Sequence, residues 1–278
     1  LGKSPVAMKL INVRLGDEKP SIVFQKQFLR EIAMAISLFT HPHLVQSYGA
    51  ARCDKQFYLV MELADGSINN LLQNPATKIS CRQLVSMACD CASAMEYLAS
   101  KGLVHRDLAC RNILYWRKEN GEILVKISDF GLTTILDHSH GVNYSQALEW
   151  TAPEVLKDVR AFSEKSDVWS FGITLWELFN PQTKPWSGFN AKDVESKVIA
   201  GQHFEKPETC PDEIYQIMIQ CWKLDPKQRP EFKTLHTALD ALIPNMSETL
   251  FTPMASHKPS SVSYSVPYSS SCKPVDKQ

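Results

Sequence analysis

His105-Arg106-Asp107-Leu108-Ala109-Cys110-Arg111-Asn112 is the stretch on which the reading of this chain turns. Two shorter groups follow it in order, Asp129-Phe130-Gly131 and Ala152-Pro153-Glu154. Any one of these triplets alone would be weak. Their order and spacing together are specific. Upstream of the stretch, residues 80–100 carry Leu84, Met87, Ala88, Cys91, Met95 and Leu98 at helical spacing, and Gly102 is placed to end that helix. Downstream, residues 113–127 read as a hairpin turning at Asn120-Gly121. Helical patterns return over 163–180, 191–200, 211–223 and 231–243, the last closed by Pro244. Before Ser67 the pattern differs. Residues 5–13, 44–50 and 56–63 read as strands, and 21–38 as a helix capped at Ser21 and stopped by His41-Pro42-His43.

Composition narrows the function classes. The chain has 278 residues, 44% hydrophobic and 22% charged, as expected of a soluble globular protein. Thirty Lys+Arg balance thirty Asp+Glu, for a net charge of zero, which argues against nucleic acid or an anionic membrane as the main partner. No apolar run reaches the ~18–20 residues that span a bilayer, and the opening LGKSPVAMKL has no signal core, so it reads as a chain cut from something longer. The eight cysteines form neither a Cys-x-x-Cys metal site nor a dense disulfide framework, so they read as reduced, mostly buried thiols. The expected organisation is a strand-rich unit over 1–63, a helical unit over 64–244, and a disordered Ser/Pro-rich tail over 245–278.

The three motifs together resemble the signature set of the protein kinases, with the resemblance running from about Pro5 to Leu242. It implies an α+β, bilobal protein-kinase-like fold: a small β-rich N-lobe, here without its first strands and Gly-rich loop, and a larger, mostly helical C-lobe. It implies ATP and Mg²⁺. Phosphoryl transfer needs an oriented hydroxyl, an in-line phosphate and cations that neutralise its charge. Asp107 would accept the proton of the attacking hydroxyl, and Asn112 and Asp129 would hold Mg²⁺ through oxygen atoms. Lys9, in Val6-Ala7-Met8-Lys9, matches the lysine that contacts the α and β phosphates, and Glu31 matches its ion-pair partner. Glu62-Leu63-Ala64 fits the hinge that receives adenine, with Met61 behind it. Asp167 would bond the catalytic-loop backbone, and Glu154 would pair with Arg229, both in structural roles.

Within the family, the details point to the tyrosine kinase group. Serine/threonine kinases usually carry Lys two residues after the catalytic Asp, where this chain has Ala109; Arg111 instead matches the arginine that helps place a phenol. Glu149-Trp150-Thr151-Ala152-Pro153-Glu154, Cys221-Trp222, Asp225-Pro226 and Arg229-Pro230 resemble the same group. The expected partners are proteins phosphorylated on tyrosine, in the cytoplasm or on the cytoplasmic side of a receptor. Tyr144 is the candidate phosphosite of a short activation segment, and Tyr264 and Tyr268 are candidate docking sites for phosphotyrosine-binding modules. The chain departs from the family at Ala147, where tyrosine kinases usually have Pro, and at Ala35 and Ser47, where bulky apolar residues are usual. Those departures and the absent Gly-rich loop leave open a catalytically weak scaffold. A serine/threonine or dual-specificity kinase also stays open.

Overall fold

A computed structural model describes residues 5–11, 40–53, 56–129, 148–253 and 264–265. The expected helix over 21–38 with Glu31 and Ala35, the pair Phe130-Gly131, and Tyr144, Ala147 and Tyr268 lie outside the described residues.

Three strands, β1 (Val6–Ile11), β2 (Ser47–Cys53) and β3 (Gln56–Glu62), form an antiparallel sheet in the order β1-β3-β2. The register opposes Lys9 to Leu59 and Ala7 to Met61. Side chains alternate along a strand, so Val6, Met8 and Leu10 share the exposed face of β1 while Lys9 takes the other. The strand expected over 44–50 starts at Ser47 instead. Leu44 and Val45 are drawn away to the second lobe, where Val45 N–H donates to Ile127 O at 2.9 Å and Ile127 N–H to His43 O at 2.9 Å. Both side chains are buried there, so burial outweighs continuation of the ladder. Ser47 is also buried, and its hydroxyl donates to Val60 O at 3.3 Å.

After β4 (Gly66–Ser67) the chain enters the helical lobe through α1 (Ile68–Gln73) and β5 (Ile79–Ser80). Helix α2 (Cys81–Ser100) begins at a reciprocal capping box between Ser80 and Gln83. It buries the whole expected stripe of Leu84, Met87, Ala88, Cys91, Met95 and Leu98. It ends at Lys101, with Gly102 at φ 68° accepting the left-handed turn. The hairpin pairs β6 (Ile113–Arg117) with β7 (Ile123–Ile127), turning through Gly121 at φ 84°. Then come α3 (Pro153–Lys157), α4 (Glu164–Phe179), α5 (Ala191–Ile199), β8 (His203–Phe204), α6 (Asp212–Cys221) and α7 (Phe232–Leu242).

Helix α4 is buried on nearly every side, and its buried polar residues Asp167, Ser170 and Thr174 are all hydrogen-bonded. Gly172 lets α6 come close: a Cβ there would lie 2.7 Å from Trp222 Nε1 and 2.8 Å from Cys221 Cβ. Helices α2 and α7 pack together within this lobe. Within the stretch expected to form the tail, two short pairings are described: β9 (Leu250–Phe251) with β5, and β10 (Tyr264–Ser265) with β8. Arg82 helps hold the first of these, its backbone N–H donating to Ser247 O at 3.0 Å and its side chain pairing with Glu248 at 2.7 Å. Of the eight cysteines, Cys89, Cys91, Cys110, Cys210 and Cys221 are buried free thiols and Cys81 is partly buried. Burial pushes Cys89 and Cys210 up to about 12, so both stay protonated and inert. No helix among the described residues is long and apolar enough to cross a membrane.

Candidate active site

The loop from α2 to β6 carries the site, and its shape is fixed from beneath by α4. Arg106 sits in the left-handed region at φ 69°, a strained setting for a residue with a Cβ. Asp167 on α4 holds it there: one carboxylate oxygen accepts from His105 N–H at 2.6 Å, the other from Arg106 N–H at 2.8 Å. Burial pushes the Asp167 carboxyl up to about 6, against the pull of those two bonds and of the nearby His105 and Arg106. His105 is wholly buried. Its Nδ1 accepts the Asp107 N–H at 3.2 Å, so its proton lies on Nε2 and is donated to Ser128 O at 2.9 Å. The imidazole thereby ties the catalytic loop to the residue just before Asp129.

Asp107, Arg111 and Asn112 converge. A short helical turn, Cys110–Asn112, brings the last two back over Asp107. Arg111 pairs with Asp107 Oδ1. Asn112 Nδ2 donates to Asp107 Oδ2 and to Asp107 O, both at 2.7 Å. With its nitrogen engaged twice, Asn112 offers Oδ1 as the atom for a cation. Ser128 fastens the next segment, its N–H and hydroxyl both donating to Asn112 O, at 2.8 and 2.9 Å. Asp129 follows at φ 70°, a second left-handed residue with a side chain. Lys9 reaches it from the N-lobe sheet, Nζ to Oδ1 at 2.6 Å. One amide oxygen and one carboxylate form a donor set that suits Mg²⁺, which takes few protein ligands and completes its shell with phosphate and water oxygens.

The segment between the lobes has a second set of contacts. Met61 is buried and the Leu63 side chain is exposed. The Glu62 side chain turns to Lys126 of β7, with 2.7 and 2.8 Å bonds, and accepts the Gln46 N–H at 2.7 Å. Trp116 Nε1–H donates to Leu63 O at 2.8 Å, and Lys126 lies 4.9 Å over the Trp116 ring. Glu62 therefore clasps the hairpin of the large lobe rather than facing the cleft.

The structure thus brings Asp107, Arg111, Asn112, Asp129 and Lys9 together, with Met61, Glu62, Leu63 and Ala64 along the junction of the lobes. Sequence reasoning gave no part to Lys126 and Trp116, which hold the junction of the lobes, or to Glu177, whose Oε2 accepts the Trp150 indole N–H at 2.8 Å. Glu177 carried a readable signal, a lone carboxylate in the apolar run Leu175-Trp176-Glu177-Leu178-Phe179. Two structural expectations hold: Asp167 bonds the catalytic loop, and Arg229 makes a bidentate pair with Glu154 at 2.7 and 2.8 Å.

Comparisons with known proteins agree with this geometry. The family model described as protein tyrosine and serine/threonine kinase matches residues 2–239. The chain is 36% identical over 245 residues to human tyrosine-protein kinase FRK, covering 85% of this chain and 46% of that protein. It is 37% identical over 246 residues to the rat tyrosine-protein kinase Fer, covering 86% of this chain and 28% of that protein. It is 37% identical over 229 residues to the Drosophila melanogaster tyrosine-protein kinase Abl, covering 81% of this chain and 14% of that protein. The chain spans less than half the length of each of these relatives. With that match over most of its length, and with the loop, lysine and paired carboxylates arranged as described, the chain belongs to the protein tyrosine and serine/threonine kinase family.

Proposed function

We propose that this chain is the catalytic domain of a protein tyrosine kinase, transferring the γ-phosphoryl group of ATP to a tyrosine hydroxyl with Mg²⁺. The observation that carries the reading is the cluster of Asp107, Arg111 and Asn112 beside Asp129 and Lys9. Asp107 orients the phenol and takes its proton as the phenolic oxygen bonds to the γ-phosphorus and the bond to the departing ADP oxygen breaks. Both Asp107 oxygens already accept one bond, and each keeps a lone pair for the incoming hydroxyl. Arg111 limits the rotation of that carboxylate and lies 4.3 Å over the Trp150 ring, lining the side from which a phenol enters. Lys9 supplies charge for phosphate oxygens, and Asn112 Oδ1 and Asp129 are the atoms that would hold the metal. When bound, Mg²⁺ neutralises charge on the transferring group. Backbone groups of Glu62–Ala64 receive adenine, with Met61 closing the back of the cleft.

The same reading gives Glu31 to Lys9 as its partner in the active state and makes Tyr144 the regulatory phosphosite, with phosphorylated Tyr264 and Tyr268 as docking sites for phosphotyrosine-binding modules. The test is Asp107→Asn, which keeps the shape and removes the base. It should lower the turnover of a tyrosine peptide by at least about 100-fold while nucleotide still binds. Phosphoamino-acid analysis of the wild-type product separates tyrosine from serine/threonine specificity. Wild-type protein that binds nucleotide and transfers no phosphate would instead support the scaffold.

A further inference from the structure

Helix α4 presents three polar side chains at i, i+4 and i+7 to the site: Ser170, Thr174 and Glu177. Each holds a different piece. Ser170 Oγ donates to Trp150 O at 2.8 Å, and Thr174 Oγ1 to Leu108 O at 3.3 Å. Glu177 does both jobs with one atom: its Oε2 accepts the Trp150 indole N–H at 2.8 Å and the Cys110 backbone N–H at 3.1 Å. Cys110 adjoins Arg111, Arg111 stacks on Trp150, and Arg111 pairs with Asp107. The contacts close a circuit from Asp107 through Arg111, Trp150 and Glu177 back to the loop backbone at Cys110.

We propose that Glu177 is a positioning residue that fixes Trp150, on the phosphoacceptor side of the cleft, in register with the loop carrying Asp107 and Arg111. The inference rests on the tyrosine-kinase reading of the site. Glu177 touches neither phosphate nor phenol; it acts through Trp150 and Arg111. Its influence therefore falls on the acceptor, and the nucleotide groups Lys9, Asn112 and Asp129 lie outside the circuit. The circuit is also sensitive to pH. Desolvation pushes the Glu177 carboxyl up to about 7, countered by the Trp150 and Cys110 bonds and by the Arg111 charge. The titratable and charged groups facing it are the Arg111 guanidinium and the Cys110 thiol, and burial raises that thiol well above the usual range, so it stays neutral. An ionised carboxylate accepts stronger hydrogen bonds than a protonated one, so the grip on Trp150 tightens as pH rises through neutrality.

Two variants of the full chain separate geometry from charge. Glu177→Ala removes both bonds; Glu177→Gln can keep both on its carbonyl oxygen and loses the charge. Glu177→Ala should lower kcat/KM for a tyrosine peptide by about 10-fold or more, with the nucleotide Kd changed less than about twofold. Glu177→Gln should stay within about threefold of wild type at pH 6 and lack the rise that wild type shows between pH 6 and pH 8. A readout independent of turnover is the Trp150 indole ¹H–¹⁵N resonance, assigned by its loss in Trp150→Phe. It should shift with a midpoint near pH 7 in wild type and stay put in Glu177→Gln. Unchanged peptide kinetics in Glu177→Ala, an equal loss of nucleotide affinity, or a pH-insensitive Trp150 resonance would each overturn the proposal. A titrating Trp150 in a wild type that phosphorylates no tyrosine would uphold the link and reject the kinase reading.

Discussion

Replacing Glu154 by Ala isolates a buried charge. The Arg229 side chain is 0% exposed and Glu154 18%. Beyond its two bonds to Glu154, the guanidinium donates to Lys223 O at 2.7 Å, Lys165 O at 2.8 Å and Leu224 O at 3.4 Å, and it lies 5.0 Å over the Trp169 ring. Three carbonyl dipoles and a ring face would remain after the carboxylate is gone, with no other ion-pair partner among the described residues. Breaking a buried pair from one side costs about 3–5 kcal/mol, because the surviving ion stays desolvated. An unfolding entropy of about 2.1 cal/mol/K per residue over a chain of this length gives roughly 0.6 kcal/mol/K, so about 4 kcal/mol lowers Tm by about 7 °C. Thermal unfolding followed by circular dichroism measures it. The double variant Glu154→Ala/Arg229→Met should recover more than half of the loss, since the orphaned cation goes with its partner. Arg160→Ala is the control: the pair of Arg160 with Asp158 is a surface one, 88% and 46% exposed, and its removal should leave Tm unchanged. A shift under about 2 °C in Glu154→Ala, or a double variant no better than the single, would refute the reasoning.

Other expectations are more local. Asp167 has a carboxyl raised to about 6 from an ordinary 3.8, so the folded state holds its proton more tightly than the unfolded state. Its contribution is therefore fully present below about pH 4 and is lost as pH rises through about 6, a decline of roughly 3 kcal/mol. Urea unfolding from pH 4 to 7 should show that slope in wild type and its absence in Asp167→Asn. Gly172→Ala should cost about 1–3 kcal/mol by overpacking α4 against α6, read as a lower urea midpoint; a neutral result would mean Trp222 can move aside. Lys126→Met should weaken nucleotide binding through the hinge, because the Glu62 carboxylate then loses its cation while still beside Gln46 N–H; calorimetric titration with ATP tests it, and an unchanged Kd would dissociate this clasp from the nucleotide site.

The parts of this site that could be read from the chain alone share one property: their chemistry is stated by close neighbours in sequence. Asp107, Arg111 and Asn112 fall within one turn-forming stretch, and Asp129 follows a hairpin whose Asn-Gly turn is itself legible. Periodicity marks α2 because it buries a long stripe, and α4 shows as a long run of residues buried on nearly every side. Strands of two residues, such as Leu250–Phe251, have no period to detect and exist only because Ile79–Ser80 offers an edge. The start of the second strand is not legible for a related reason: the burial that claims Leu44 and Val45 comes from β7, far along the chain.

The strain at the site follows the same division. Arg106 and Asp129, both left-handed, are the two residues around which the loop carrying Asp107 and the segment carrying Asp129 turn. Nothing in its own neighbourhood marks Arg106 for that conformation, whereas Asp129 is of a type that tolerates it. What holds Arg106 is the carboxylate of Asp167, and what precedes Asp129 is pinned by His105 and Asn112. The motif thus states which groups act, while remote residues state where they stand. Glu177 belongs with the second kind: a carboxylate inside an apolar helix is costly to keep, and Trp150 and Cys110, both remote in sequence, supply its hydrogen bonds.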